Sequence, residues 1–283
     1  MAKELNLTLR SNPPKSPIHP PSTGRYSPHP QVETIDPSPE ASPQDKHNLQ
    51  IICGKLLYYT LAVDPTIQVA VCKIASAQSR ATHQTMQAAD RLLQYVLANP
   101  DAIITYYPSN MILVAHSDAS HDSEPLSRSR AGGFYTLGNA DFQGIDNPTT
   151  LNGPISCLSK LIDTVCAGAY ESEYAALYLN ATNLEAARQT LEDFGFPQPS
   201  TVVYYDNTVA GDIAYKRCKQ RRSKAIARRY HWIQDRISMG HFNLQWRAGK
   251  LNLADFFTKA HPVAHFQKML PNFITFPTSK TSS

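Results

Sequence analysis

The chain lacks the cysteine pattern of a stapled or zinc-bound fold. Its five cysteines, Cys53, Cys72, Cys157, Cys166 and Cys218, are odd in number, scattered, and never spaced as CxxC. That excludes a disulfide framework and a zinc knuckle, and a reducing compartment, cytosol or nucleus, is expected. Long apolar runs are missing too. No stretch approaches the roughly 20 residues of a membrane span, and the opening MAKELNLTLRSNPP has no apolar signal core. A soluble protein is therefore expected. Nor is there a large excess of one charge, since 27 Lys+Arg against 23 Asp+Glu leave +4. What the chain does have is size: 283 residues at 42% hydrophobic suffice for a proper core, as one large domain or a domain with appendages.

Charge and proline are unevenly placed. Residues 1–46 carry ten of the 21 prolines, in runs such as SNPPKSPIHPPS and DPSPEASP. Such text buries too little apolar surface to fold, so 1–47 reads as a disordered or extended lead-in. The block KRCKQRRSKAIARR at 216–229 holds eight of the 27 basic residues and no acid. It suits a polyanion, or else a solvated helix face.

From residue 48 to about 99 the text is helical. In THQTMQAADRLLQYVLANP the residues Met86, Ala89, Leu93 and Val96 recur at three and four, with Thr82 as cap and Asn99-Pro100 as stop. LQIICGKLLYYTLAV reads as a partner helix. Asp64 reads as a cap or loop residue and His83 as a surface one. Strand and helix then alternate. MILVAHSD, AGGFYTLG and PISCLSK are strand candidates separated by Gly, Asn and Pro turns, which suggests an antiparallel meander. YESEYAALYLNATNLEAARQTLEDFG is a long helix with Tyr174, Leu177, Ala181 and Leu184 on one stripe, closed by Gly195. There follow TVVYYD as a strand, NTVAGDIAYKRC as a short helix and SKAIARRYHWIQDRISMG as a helix striped by Ile226, Tyr230, Ile233 and Ile237. HFNLQWRA is the next strand and LNLADFFTKA the last helix. This order predicts an α/β fold, a mixed sheet of five strands with helices on its faces.

Four acids take notable places on that plan. Asp118 ends the first strand, Glu173 lies in the first turns of the long helix, Asp206 ends the fourth strand and Asp255 lies early in the last helix. Taken singly, each is an ordinary cap or strand end. Taken together, side-by-side pairing of strands one and four brings Asp118 and Asp206 to one sheet edge, within reach of Glu173. Clustered carboxylates repel and call for a cation, and hard oxygen ligands choose Mg²⁺ or Mn²⁺ over zinc. Two such ions about 3.5 to 4 Å apart can activate a water and stabilise a leaving 3′ oxygen. Position alone leaves both readings open.

The segments HSDAS, RSRAGGFYTLG, ISCLSK, AYESEYAAL, YYDNTVA, SKAIARRYHWIQDRISMG and LADFFTKA closely resemble, in this order, the ribonuclease H region of copia-type retrotransposon polyproteins. LQIICGKLLYYTLAVDPTIQVAV with AADRLLQYVLANPD is similar to the stretch joining reverse transcriptase to ribonuclease H there. The likeness spans about residues 48–260, and it rests on seven motifs in register. It implies a helical connection segment at 48–108, a ribonuclease H-like domain at 109–260 and a tail at 261–283. It implies Asp118, Glu173, Asp206 and Asp255 as catalytic, metal-binding acids, with Glu171 a nearby alternative to Glu173. It implies a two-metal Mg²⁺ or Mn²⁺ site and cleavage of the RNA strand of RNA/DNA hybrids.

The chain also departs from the family's pattern. Ser120 replaces an acid, Ala225 stands where histidine is usual, and WRAGKLNLAD carries no histidine before its acid; His241 is a candidate substitute. No YxDD-type polymerase motif occurs, so a reverse transcriptase palm would be a partner supplied by a longer polyprotein. Lys216, Arg217, Lys219, Arg221, Arg222 and Lys224 are candidate phosphate contacts. Asn207 and Arg130, with Ser129, are candidates near the 2′-hydroxyls that distinguish RNA. Against the enzyme stands a second reading, a catalytically inactive remnant that binds nucleic acid or protein. Loss of the palm and the altered motifs favour that reading, and survival of four acids favours the first.

Overall fold

The computed structural model describes residues 8–19, 36–139, 151–215 and 224–277, with the backbone alone over 224–228. The chain divides into two compact units, one of Met1–Tyr26, Ile35–Thr105 and Ala260–Ser283, the other of Ser27–Thr34 and Tyr106–Lys259.

The first unit is helical. α1 (Pro43–Ala62) starts inside the stretch expected to be extended, because Ser42 accepts a hydrogen bond from the Asp45 N–H and Pro43 suits the first helical position. α2 spans Gln68–Ala77. Between these two helices Asp64 caps a 3₁₀ turn, accepting from the Thr66 N–H at 2.9 Å. α3 (His83–Ala98) opens on a capping box between Thr82 and Thr85 and stops at Asn99, whose side-chain amide donates to the Tyr95 carbonyl. Ala89, Leu93 and Val96 are buried as their spacing predicts, with Leu92 and Tyr95 beside them. His83 is exposed. Later in the chain, α7 (Val263–Met269) places Phe266 edge-on to Tyr95, ring centroids 5.8 Å apart. Among the described residues no helix is long and apolar enough to cross a membrane.

The second unit is built on a five-stranded mixed sheet, in spatial order β3-β2-β1-β4-β5. β1 (Ile112–Glu124), β2 (Arg128–Gly138) and β3 (Pro154–Leu161) form the expected antiparallel meander. β4 (Thr201–Tyr205) lies parallel to β1, and β5 (Phe242–Trp246) parallel to β4. β1 is longer than expected. It does not end at Asp118 but runs on to Glu124 against β2, while its pairing with β4 covers only Val114 to His116. Asp118 therefore lies beyond the parallel part of its strand, past the end of β4.

One face of the sheet carries α4 (Ala169–Asp193), α5 (Thr208–Ala214) and α6 (Lys224–Ser238). Tyr174, Leu177, Ala181 and Leu184 of α4 are buried with Leu113, Ala115, Val203 and Leu244 of the sheet and Tyr230 and Ile233 of α6. Tyr230 is thus core, stacked on Tyr174 at 4.1 Å. α4 ends as predicted at Gly195, whose φ of +85° lets the Phe196 N–H return to the Leu191 carbonyl. The segment LADFF is a 3₁₀ turn (Leu253–Phe257), not the α-helix expected of it. It crosses the other face of the sheet, where its tight winding lets it lie on β2.

α4 is fastened to the sheet by a buried polar side chain. The Asn180 amide nitrogen lies 2.8 Å from the Ser117 hydroxyl and 2.9 Å from the Gly132 carbonyl, and its oxygen accepts from the Tyr135 hydroxyl at 2.6 Å. Gly133 leaves the room, for a Cβ there would stand 2.0 Å from the Asn180 oxygen. Replacing Asn180 with Leu strands these partners in the core, and urea unfolding should show a loss of about 2 to 4 kcal/mol.

Candidate active site

The parallel register determines where the acids meet. His116 is level with Tyr204, so two residues on, past the end of the paired segment, Asp118 and Asp206 stand across from each other. Strand neighbours lie about 4.8 Å apart. Glu173 is in the second turn of α4, which Asn180 holds against β1 and β2. One carboxylate oxygen from each of Asp118, Glu173 and Asp206 lies within 4.8 Å of the other two. The structure separates Glu173 from Glu171: Glu171 turns back to accept from the Ala167 N–H at 2.8 Å, tying down the start of α4. Glu173 instead faces Asp118, where the nearby Ala119 N–H favours its charged form.

Asp255 lies outside that trio but near enough for its charge to act on all three acids, and it comes there by a separate route. Asn252 donates to the Ser117 carbonyl at 2.9 Å and accepts from the Ala254 N–H, which pins the 3₁₀ turn to β1. A second pin is His116, whose Nδ1 accepts from the Leu253 N–H at 3.2 Å. Complete burial, with Arg247 nearby, pushes His116 down to about 3, so its ring is neutral at physiological pH and keeps this acceptor. The turn then passes over Gly132, the residue level with Asp118, so closely that a Cβ there would lie 2.4 Å from the Ala254 carbonyl. Lys259 bonds to the Asp255 carboxylate at 2.5 Å. The Thr258 hydroxyl, with one proton to give, lies within reach of both the Asp118 carboxylate and the Asp255 carbonyl.

The electrostatics follow from this crowding. Burial, then Asp255 and Asp206, hold Asp118 well above the ordinary carboxylate range, against the pull of Lys259 and Thr258. Burial, then Asp118 and Asp206, do the same to Glu173. Asp206 is raised by burial and by Asp255. Groups so placed hold protons more tightly folded than unfolded, and a bound cation relieves the same strain. An all-oxygen, partly buried donor set fits a hard divalent ion.

Several expected site residues lie elsewhere. Arg130 is 0% exposed and paired with the buried Glu124 at 2.7 Å, its other arm 3.3 Å from the Ser159 hydroxyl, so it braces the β1–β2 hairpin and cannot touch a nucleic acid. Ser129 is likewise buried, accepting from the Asp122 N–H. His241 does not replace the missing histidine. It precedes β5 beside Thr201, at the end of the sheet opposite Asp206, and bonds to Glu185 at 2.7 Å. Asn207 is half-buried next to Asp206, with its side-chain oxygen capping α5 through the Ala210 N–H. Lys216, Arg217, Lys219, Arg221 and Arg222 lie outside the described residues, and Lys224 is the first residue of α6. Sequence reasoning missed Asn180, Asn252, His116 and Gly132; a glycine level with a strand carboxylate was the one available signal.

The sheet order and the helices upon it are those of the ribonuclease H-like fold. Over three quarters of its length the chain is homologous to Pol polyproteins of copia-type retrotransposons. It is 25% identical over 214 residues to the retrovirus-related Pol polyprotein from transposon TNT 1-94 of Nicotiana tabacum, and 26% identical over 220 residues to that from transposon RE1 of Arabidopsis thaliana. Each match takes in 76% of this chain but only 15% and 14% of the polyproteins. No family model matches. Among solved structures, LC11-RNase H1, isolated from compost by a metagenomic approach, aligns with 52% of this chain and 93% of its own at 13% identity and a TM-score of 0.39. The prototype foamy virus protease-reverse transcriptase aligns with 89% of this chain and 29% of its own at 13% identity and a TM-score of 0.35.

Two outcomes test the site's construction. Gly132→Ala forces the Asp255 turn off the sheet, and calorimetry should show weaker Mn²⁺ binding together with a stability loss of about 1 to 3 kcal/mol. In EDTA, Asp118→Asn should be more stable than wild type by a margin that widens as pH rises. The folded carboxyl group keeps its proton above the unfolded value, so the cost of its charge is absent near pH 4 and appears as pH climbs through the raised folded value. A margin independent of pH in urea melts would contradict the assignment.

Proposed function

We propose that the chain is the ribonuclease H part of a copia-type retrotransposon reverse transcriptase, a metal-dependent endonuclease that cuts the RNA strand of RNA/DNA hybrids. The observation that carries this reading is the meeting of Asp118, Glu173 and Asp206 from a strand, a helix and a strand end, with oxygens within 4.8 Å. Homology to the transposon polyproteins supports it independently. In this reading residues 109–260 form the nuclease domain and 48–108 the connection segment, with 1–47 and 261–283 as lead-in and tail. The polymerase palm is a partner supplied by a longer polyprotein.

Asp118, Glu173, Asp206 and Asp255 would hold Mg²⁺ or Mn²⁺, which when bound lowers the pKa of a coordinated water and offsets charge on the phosphate being cut. The chain's own residues do the remainder. Asn252 and His116 keep the Asp255 turn on the sheet, and Asn180 keeps Glu173 beside Asp118, so the acids are gathered before any ion arrives. That preorganisation spares the site a rearrangement during the reaction. Lys216, Arg217, Lys219, Arg221, Arg222 and Lys224 form the cationic track for the hybrid backbones, which need charge but no base readout. Asn207, next to Asp206, would meet the sugar edge of the cut strand through its amide nitrogen, since its oxygen caps α5.

The purified chain should cleave only the RNA strand of a labelled hybrid with Mg²⁺ or Mn²⁺, and Asp206→Asn should lose this activity while staying folded. Hybrid bound but uncut by the wild-type chain would favour the inactive-remnant reading instead. Neutralising Lys219, Arg221 and Arg222 together should weaken hybrid binding and flatten its dependence on salt, by about 0.7 to 0.9 in log–log slope for each phosphate no longer neutralised. An unchanged slope would move the backbone track elsewhere.

A further inference from the structure

The corner of the sheet next to Asp206 presents an aromatic ring to solvent. Trp246, the last residue of β5 and level with Tyr205, is 56% exposed. An indole left this open on an edge strand is costly to hydration, yet its orientation is held. Its Nε1–H donates to the backbone carbonyl of Asp206 at 2.9 Å. Three residues on, Gly249 lies against the same residue from another side, so near that a Cβ there would stand 2.7 Å from the Asp206 carboxylate. The segment from Trp246 to Gly249 therefore wraps Asp206 at both its carbonyl and its carboxylate. Arg247 between them is folded back over the Tyr204 ring, 3.9 Å from its centroid, whereas Lys250 is exposed. An open ring with a cation a few residues away, at the edge of an acid cluster, is the pairing that binds a nucleic acid strand by stacking and charge.

We propose that Trp246 is a substrate-contacting residue: its ring packs against the sugar or base edge of the nucleotide next to the phosphate that Asp206 addresses. This rests on the ribonuclease H reading. Its indole N–H is already committed to Asp206, so the contact is made by the ring face and is indifferent to base sequence. The same hydrogen bond fixes the ring against the Asp206 backbone, so a strand that seats on the ring lies beside that residue.

The chain has two tryptophans, so Trp232→Phe leaves Trp246 as the sole indole reporter. Trp232 packs edge-on to Tyr178 at 5.4 Å on α6, and phenylalanine keeps that packing. Titrating this protein in EDTA with a fluorophore-labelled RNA/DNA hybrid gives binding by anisotropy and the environment of Trp246 by its emission. Emission should be quenched in step with binding. Trp246→Ala should weaken binding on the order of tenfold, and Trp246→Phe, which keeps a ring but loses the hydrogen bond, should bind within about threefold of wild type. A purely structural role predicts the reverse pattern, with phenylalanine failing as badly as alanine and both lowering the melting temperature. Hybrid bound with unmoved emission and unchanged alanine affinity overturns the proposed ring contact alone. No hybrid bound by the wild-type chain at low salt overturns the ribonuclease reading and this inference with it.

Discussion

Like charges are brought together at one edge of a sheet, and most of the second unit serves to keep them there. The parallel pairing of β1 with β4 sets Asp118 and Asp206 opposite each other, and nothing in their own chemistry favours that. The opposing force comes from burial of the apolar residues on the α4 face, of which Leu113, Ala115, Tyr174, Leu177 and Val203 are the centre. Core packing holds the backbone, the backbone holds the carboxylates, and their crowding and burial raise the proton affinity of Asp118 and Glu173. A fold that accepts such a strain in one place is expected to use it.

The fastening is done by neutral groups. Asn180 and Asn252 each tie one acid-bearing element to Ser117, one through its hydroxyl and the other through its carbonyl. Ser117 immediately precedes Asp118, so the helix that carries Glu173 and the turn that carries Asp255 are both referenced to the same point of β1. These amides add no charge beside the acids, whereas Lys259 on Asp255 partly offsets theirs. His116 contributes in the same way, being neutral through burial.

Much of this was legible in the amino-acid order. The alternation of strand and helix, the stripe of Tyr174, Leu177, Ala181 and Leu184 and the Asn207 cap depend on local period and on capping, and the sheet plan drawn from them brings Asp118, Glu173 and Asp206 together. The misreadings share a different cause. Arg130 looks like a surface cation until Glu124, six residues earlier, folds across from it in the hairpin. The helix expected at LADFF is a 3₁₀ turn because it has to pass within van der Waals range of Gly132, a constraint set by a strand more than a hundred residues away. Asn180, Asn252 and His116 went unnoticed for the same reason: their partners are distant in sequence, and no short pattern announces a buried hydrogen bond.

The central claim is that Asp118, Glu173 and Asp206 form a divalent-metal site, and the most direct test is a crystal grown or soaked with Mn²⁺ and measured for anomalous scattering. The account predicts a strong anomalous peak between these three carboxylates, with Asp255 at or next to the ion. Ordered carboxylates with no anomalous density among them, in crystals where Mn²⁺ is bound elsewhere on the chain, would contradict it.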